Sequence, residues 1–488
     1  MPVSRARAAA IVGGGAAAAA TVAGVATAVS KRRELREAAA ENIQRSRRLT
    51  KLGLRRAGHY ATTRVRGVGA DEQRRAALDA QFAIRTAEDV TAELGDMKGA
   101  IMKLGQMISF MAPGLPEEVR EILATLQADV PPMAPSLAES VIEEELGRHP
   151  RRLFADWDPL PVAAASIGQV HRVVLRDGRL AAVKVQYPGV RDAIGADIEN
   201  VDAFASAFAI MAFNSVDVDA LVAELRDRMT DELDYRLEAS RQQEFAERYT
   251  GHPFIHIPNV YPELSSERVL TSEWVDGVSW QKMLATARQA DRQRVAETIF
   301  RFCQGAVLRH GVFNGDPHPG NYLFRTDGRV TFLDFGLVKR WSEPDLDGLG
   351  PVLDGVLAQD PNRTISAMVS AGFLSVDHGV DPKAIWDYVS RPYQPYFQES
   401  WTFRHEWVGE TLASMLDVYG PSAPVVKVLN MPPSFIVLDR VVWGVSALMG
   451  ELGATNTFRS ILLEYRDGAP PSTELGRLEA TWQTERVG

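Results

Sequence analysis

The sequence has very little cysteine: Cys303 is the only one among 488 residues. A single cysteine excludes an internal disulfide framework and any metal site built from several thiolates, and it is typical of a reducing compartment. Hydrophobic content of 45% and charged content of 24% are ordinary for a globular protein. The length is enough for two or three domains or lobes, each with its own core.

Charge is absent from residues 8–30, a run of 23 residues made mostly of Ala and Gly. Its length would span a bilayer, but Ala and Gly make membrane insertion marginal. Three interpretations stay open: a transmembrane anchor, a flexible tail or ordinary helix, and a secretory signal with an A-x-A site at Ala26–Ala28. Basic residues dominate after the run, so a spanning segment would leave the rest of the chain on the cytoplasmic side of a membrane.

Positive charge is concentrated at the start of the chain. Residues 1–66 carry fourteen Lys and Arg against three Glu, a net +11, whereas the whole chain carries −9. This asymmetry predicts a segment that meets an anionic surface, and a membrane surface is favoured over nucleic acid because no nucleic-acid recognition motif accompanies it. A solvated charged face is the ordinary alternative.

The richest stretch is residues 314–336, NGDPHPGNYLFRTDGRVTFLDFG. Two short apolar runs separated by Thr326-Asp327-Gly328 predict a hairpin. Its ends carry Asn321 and Asp334, and Asp316 lies upstream. Converging oxygen ligands suit Mg²⁺ with phosphate. The spacing D-x4-N followed by Asp-Phe-Gly is also that of the catalytic and metal loops of protein kinases.

A second motif precedes it. Residues 163–170, AAASIGQV, match the kinase phosphate loop with Ala at the first two glycines, and Lys184 follows on a predicted strand. A lysine between apolar neighbours needs a partner to stay charged. Residues 217–249 predict one long amphipathic helix, and one of its acids, Glu232, Asp234 or Glu238, would supply that partner. The strand-like run ending near Glu273 is a candidate hinge between lobes.

Taken together, the motifs resemble the UbiB/ADCK family of atypical protein-kinase-like proteins, the aarF-domain-containing kinase type. The likeness runs from about Glu93 to Lys339. Its further blocks are Lys103-Leu104-Gly105-Gln106, which matches K-x-G-Q, and Glu232-Leu233-Asp234, which matches E-x-D. The resemblance implies an α+β, bilobal protein-kinase-like fold with a helical N-terminal extension packed over the cleft and a mainly helical C-lobe.

The resemblance also implies roles. Lys184 would contact phosphates and pair with Glu238, Asn321 and Asp334 would hold Mg²⁺, and Asp316 would occupy the place of the kinase base. The residues expected to bind ATP or ADP are Ala163, Ala164, Ala165, Ser166, Gly168, Val170, Lys184 and Glu273.

A regulatory set is implied as well. Lys103, Gly105 and Gln106 would lie on the extension over the cleft, with Lys103 meeting Glu232 and Asp234. Two departures from ordinary kinases put protein phosphorylation in doubt: alanines replace glycines in the phosphate loop, and no A-P-E follows Gly336.

The expected divisions of the chain are a membrane-type segment (1–30), a basic linker (31–78), the helical extension (79–157), an N-lobe (158–276), a C-lobe (277–466) and a polar tail (467–488). The leading hypothesis is an ATP- and Mg²⁺-dependent kinase or ATPase that serves isoprenoid-quinone or other lipid metabolism at a membrane. The alternatives are a nucleotide-gated lipid-binding protein without phosphotransfer and a small-molecule kinase. A homodimer is left open.

Overall fold

The computed structural model of the protein describes residues 133–165, 167–191, 230–416, 420–430 and 433–487. The predictions for residues 1–30 and 31–78, for Lys103, Gly105 and Gln106, and for Ser166 concern residues outside these ranges. Within the described ranges, no helix combines the length and the apolar character needed to cross a bilayer.

Thirteen α-helices lie in the described ranges. They are α1 (Pro135–Leu146), α2 (Pro150–Leu153), α3 (Tyr235–Arg248), α4 (Trp280–Thr286), α5 (Gln289–Gly305), α6 (Glu343–Leu357), α7 (Pro361–Ser370), α8 (Pro382–Val389), α9 (His405–Leu416), α10 (Ala423–Val428), α11 (Pro433–Leu452), α12 (Phe458–Asp467) and α13 (Glu474–Val487).

Twelve β-strands lie in the described ranges, six before residue 300 and six after it. They are β1 (Asp156–Trp157), β2 (Ala163–Ala165), β3 (Gly168–Val174), β4 (Leu180–Gln186), β5 (Ile255–His256), β6 (Val269–Glu273), β7 (Val312–Asn314), β8 (Tyr322–Phe324), β9 (Val330–Phe332), β10 (Val338–Arg340), β11 (Trp401–Thr402) and β12 (Thr455–Asn456).

An antiparallel five-stranded sheet forms the first lobe, in the order β1-β3-β4-β6 with β2 paired to β3. Burial alternates along β4, which is the period of a strand with one face in a core. Ala181, Val183 and Val185 point into a core that α1 closes with Val141 and Ile142. Lys184 therefore lies on the opposite face of the sheet.

The predicted long helix over residues 217–249 is wrong at its centre. The chain leaves the helical conformation at Leu233 and Asp234, and α3 begins at Tyr235. The Asp234 side chain accepts a hydrogen bond from the Arg236 backbone N–H and caps the new helix. Aspartate is among the strongest N-caps because its oxygen satisfies an amide that the helix leaves unpaired.

A second, larger hydrophobic core lies inside the helical lobe. The predicted hairpin forms as β8 and β9 with Tyr322 opposite Phe332, and α4 contacts β8 while α5 contacts β9. Helices α11 and α12 contribute to the same core. Gly328 turns the hairpin at φ +82°, a conformation that glycine adopts without steric cost. The α+β architecture and this hairpin are confirmed.

The last part of the chain, polar in sequence, contains α13. Trp482 of α13 contacts His252 edge to face, with ring centroids 4.4 Å apart. Glu479 accepts hydrogen bonds from the buried Arg301 and from Tyr465. The helix is therefore anchored to the second lobe by both ring and charged contacts.

Candidate active site

The site is built around a buried ion pair between the sheet and α3. The Nζ of Lys184 lies 2.9 Å from both carboxylate oxygens of Glu238. The Lys184 side chain is 20% exposed and that of Glu238 is 8% exposed. Two features bring Lys184 and Glu238 together. The register of β4 places Lys184 on the face of the sheet that is not in the core. The Asp234 cap sets the start of α3 and therefore the position of Glu238.

Lys184 keeps its charge although it is buried. Burial alone would lower its pKa, but the carboxylate of Glu238 and then the nearby Tyr235 and Asp334 raise the pKa above its ordinary value. The Nζ also lies 4.8 Å from the centre of the Tyr235 ring, within cation–π range. A fixed cation on the open face of the sheet can bind an anion such as a phosphate.

The Asp-Phe-Gly motif follows β9 and lies against α3. Phe335 is fully buried and its ring packs 5.0 Å from that of Phe245 in α3. The Asp334 side chain accepts a hydrogen bond from the Gly336 N–H at 2.9 Å. Helix α3 thus supplies both Glu238 to Lys184 and a packing surface to Phe335, which ties the two halves of the site together.

Asn321 and Asp334 lie at the open end of the hairpin, as the sequence predicts. The Leu333 N–H donates to the Asn321 carbonyl at 3.0 Å, and Asp334 is the next residue. Asn314, which ends β7, connects them to Asp316: its side chain donates to the Asp334 carbonyl and accepts from the Asp316 N–H. The Asn314 side chain thus links the backbone of Asp316 to that of Asp334, beside the end of the hairpin that carries Asn321.

Both carboxylate oxygens of Asp316 have donors. Arg440 of α11 donates to Oδ1 at 2.7 Å, and the Asn321 amide donates to Oδ2 at 3.2 Å. Sequence reasoning missed Arg440. The available signal was a charged pair, Asp439-Arg440, inside an otherwise apolar helix. Arg241 of α3 was also missed, and its guanidinium donates to the Gly336 carbonyl at 2.7 Å.

The alanine-rich stretch forms β2, which pairs antiparallel with β3. Ala163, Ala164 and Ala165 pair with Val170, Gln169 and Gly168, respectively. Gly168 is required by space: a Cβ there would lie 2.2 Å from the Val185 carbonyl oxygen. The alanines themselves are exposed or half-buried, so their surface is open to a ligand.

Glu273 is the last residue of β6, and its side chain contacts residues near β5. One carboxylate oxygen lies 3.4 Å from the His256 ring Nε2, and the other accepts from the Asn259 side chain at 3.2 Å. Burial would raise the Glu273 pKa, but these hydrogen bonds and the charge of His256 lower it. Glu273 thus connects the sheet to β5, at the position predicted for a hinge.

The two acids of the E-x-D motif differ in surroundings. Asp234 is paired with the Arg236 guanidinium, which lowers the pKa of this half-exposed carboxyl. Burial and the charges of Glu238 and Glu232 raise the pKa of Tyr235, while the charge of Lys184 opposes them. The predicted contact of both acids with Lys103 concerns a residue outside the described ranges.

The donor set around the hairpin fits Mg²⁺. Within the described ranges no group of three or more His, Cys, Asp or Glu could hold a metal ion by itself. Mg²⁺ does not need such a group, because it binds through one or two protein oxygens and completes its shell with phosphate and water. The Asn321 amide and the Asp334 carboxylate offer those oxygens.

Together, a lysine–glutamate pair between a sheet and a helix, a D-x4-N loop and a buried Asp-Phe-Gly define a protein-kinase-like fold and site. The family model of the ABC1 atypical kinase-like domain matches residues 125–368, half of the chain. The protein belongs to this family, and the membership expected from the motifs is confirmed.

Individual relatives agree. The chain is 28% identical to the atypical kinase COQ8, mitochondrial, of Saccharomyces cerevisiae over 75% of this chain and 73% of the yeast protein. It is 34% identical to the chloroplastic protein ACTIVITY OF BC1 COMPLEX KINASE 8 of Arabidopsis thaliana over 56% of this chain but only 37% of that protein. The chain thus covers well under half of this longer plant relative.

A solved structure is also similar. It is the complex of Rv3197 with erythromycin from Mycobacterium tuberculosis, with a TM-score of 0.58 and 29% sequence identity. The match covers 79% of this chain and 98% of that one.

Proposed function

We propose that the protein is a Mg²⁺-dependent ATP phosphotransferase or ATPase that acts in membrane isoprenoid-quinone or lipid metabolism. The observation that carries the proposal is the buried Lys184–Glu238 pair, held beside the Asp-Phe-Gly motif by one helix. A buried charge of this kind is costly to a fold. Its placement next to a metal-type donor set is what binding of a nucleotide phosphate requires.

The residues divide the work as follows. Lys184 would bind the phosphates, and Glu238 would keep its ammonium group in place. Asn321 and Asp334 would hold Mg²⁺, which supplies charge neutralisation when bound. Asp316 would orient the hydroxyl of the acceptor or of water and take its proton as the bond from the γ-phosphorus to ADP breaks and the new P–O bond forms.

The proposed phosphoryl acceptor and location are based on the family resemblance and on the charge of residues 1–66. The resemblance to the family implies a lipid or isoprenoid-quinone intermediate. The net positive charge of residues 1–66 supports contact with an anionic membrane, because clustered Lys and Arg are attracted to acidic lipid headgroups. The cytoplasmic side of a membrane is therefore the proposed location.

The test follows the γ-phosphoryl group. Purified full-length protein is incubated with γ-labelled ATP, Mg²⁺ and vesicles containing acidic lipids, and label is measured in inorganic phosphate and in the lipid extract. We expect label in one of these fractions for the wild type and none above background for Asp334→Asn. Asp327→Asn, at the exposed tip of the same hairpin, is the matched control and should behave as the wild type. Equal release by wild type and Asp334→Asn would refute the proposal.

The erythromycin complex of the mycobacterial relative supports a second candidate: nucleotide-gated binding of a hydrophobic small molecule without phosphotransfer. In that case ATP with Mg²⁺ would change the affinity for erythromycin or a quinone analogue, while no label would leave ATP. The same labelled reaction, run beside a binding titration, separates the two functions.

A further inference from the structure

Helix α11 lies directly against the loop that carries the proposed base. Its residues Val437, Arg440 and Gly444 are spaced by three and four, so they share one face. A Cβ on Gly444 would lie 2.4 Å from the Cγ of Pro317, and a Cβ on Gly315 would lie 2.7 Å from Val437 Cγ1. Gly444 leaves room for the Pro317 ring and Gly315 leaves room for the Val437 side chain, so the helix and the loop 315–317 are closely packed at two points.

Arg440 lies at the centre of this face and reaches the Asp316 carboxylate. The Nη2–Oδ1 distance is 2.7 Å, and the two side chains are 15% and 20% exposed. A charge-assisted hydrogen bond that is shielded from water is stronger than a surface pair. Asn321 holds the other oxygen at 3.2 Å. The carboxylate is thus held from two sides, by a helix distant in sequence and by the proposed metal ligand.

The Asp316 carboxylate can still accept further hydrogen bonds although it already has two donors. Each ionised oxygen can accept two hydrogen bonds, so one position on each remains for an acceptor hydroxyl or water. The guanidinium stays protonated at every physiological pH. Its charge therefore strengthens the hydrogen bond that holds the Asp316 carboxylate in place.

We infer that Arg440 is a positioning residue for phosphoryl transfer: it acts through Asp316 and fixes the orientation of the carboxylate toward the acceptor. This inference rests on the proposed function. It predicts that kcat falls by more than the KM for MgATP changes, because Arg440 donates to the Asp316 carboxylate, which is assigned to the acceptor.

The experiment measures steady-state ATP turnover of full-length Arg440→Met, Asp316→Asn and the double variant. We expect Arg440→Met to lower kcat by about 10- to 100-fold, the scale of a misplaced catalytic group, and to leave the KM for MgATP within about twofold. Adding Arg440→Met to Asp316→Asn should change kcat by less than about twofold, because a residue that acts through Asp316 has nothing left to position.

Two further variants make the result interpretable. Arg440→Lys keeps the charge and should recover part of the lost kcat, and it replaces Arg440→Met in the cycle if that variant fails to fold. Arg363→Met removes a more exposed helix arginine from its pair with Asp354 and should retain wild-type turnover. Wild-type kcat in Arg440→Met, or losses that multiply in the double variant, would overturn the inference alone. Wild-type turnover no greater than that of Asp334→Asn would overturn the proposed function and this role together.

Discussion

Lys184 illustrates how a single buried residue can be informative about function. Its ammonium group is shielded from water, and its charge persists because Glu238 and Asp334 lie close by. Removing one member of a buried pair leaves the other charge without compensation, which is more costly than losing a surface pair. Stability and nucleotide binding should therefore both depend on Glu238.

Glu238→Gln should lower the free energy of unfolding by about 3 kcal/mol, because it leaves the Lys184 ammonium buried without a counter-charge. The matched control is Asp387→Asn, which breaks the exposed Lys383–Asp387 pair and should cost less than about 0.5 kcal/mol. Urea unfolding of both variants measures the difference. Similar losses in the two variants would mean that the pair in the cleft contributes no more than a surface pair.

At the scale of single residues, the sequence predicted the site where its residues are close together along the chain. Asn321, Asp334 and Asp316 lie within one hairpin and its approach, so their convergence could be predicted from turn chemistry. From the residues alone, the partner of Lys184 could be predicted only as one of several acids in one helix. The resemblance to the family then implied Glu238. The charged pair Asp439-Arg440 marks Arg440 as unusual for its helix, but its contact with Asp316 could not be predicted because the two residues are 124 positions apart.

Among the elements, α11 has the closest contact with the site, at Gly444 and Pro317. Gly444→Ala should lower the free energy of unfolding by about 1–3 kcal/mol, because the new methyl group would overlap Pro317 and push the loop and helix apart. ATP turnover should fall as well, since Asp316 precedes Pro317. Calorimetric unfolding and a turnover assay on the same preparation measure the two effects.

Gly409→Ala provides the matched control. Gly409 lies in helix α9, and a Cβ there meets nothing within 4 Å. The intrinsic helix preference of alanine should then raise the free energy of unfolding by up to about 1 kcal/mol, with turnover unchanged. If Gly444→Ala were stabilising to the same extent, the tight contact between α11 and the loop would be disproved.

The element boundaries show what periodicity alone misses. Apolar spacing over residues 217–249 favours one helix, but Asp234 stops it and caps a new one. The break sets the position of Glu238 relative to Lys184. The cap was recognisable in principle, since aspartate before a helix is a known start signal. It was outweighed by a hydrophobic pattern that continues across it.

Across the whole molecule, the end of the chain is held on the second lobe through His252. Its Nδ1 accepts the backbone N–H of Ile255 at 3.1 Å, and its ring contacts Trp482 of α13. Burial, and then the charges of Arg309, Arg301 and Arg486, lower the His252 pKa from 6.5 to about 3. His252 is therefore neutral in the folded protein at neutral pH.

Stability should depend on pH in a definite direction. The unfolded chain binds a proton at His252 below about pH 6.5, whereas the folded protein does so only near pH 3. The contribution is thus fully present above pH 6.5 and is lost as the pH falls, and the loss of stability reaches about 2 kcal/mol at pH 5. His310, whose pKa is lowered to about 4 by burial and nearby arginines, adds in the same direction.

His252→Asn tests this contribution because an amide oxygen can still accept the backbone N–H but does not titrate. Unfolding free energy measured between pH 5 and pH 7 should vary less in His252→Asn than in the wild type, with the share of His310 remaining. His378→Asn is the control, since the Nδ1 of His378 also accepts a backbone N–H, from Val380, at a more exposed place. An unchanged pH slope in His252→Asn would contradict the account of how α13 is held.

The central claim is that the Lys184, Asn321, Asp334 and Asp316 constellation turns over ATP with Mg²⁺. The most direct measurement is the steady-state ATP turnover rate of purified wild type and Asp334→Asn at saturating Mg²⁺, on preparations with matching melting temperatures. The account predicts turnover in the wild type that a chelator abolishes, and a rate in Asp334→Asn lower by at least about 100-fold, the scale of a lost charge-stabilising group. The same rate in both proteins would contradict it.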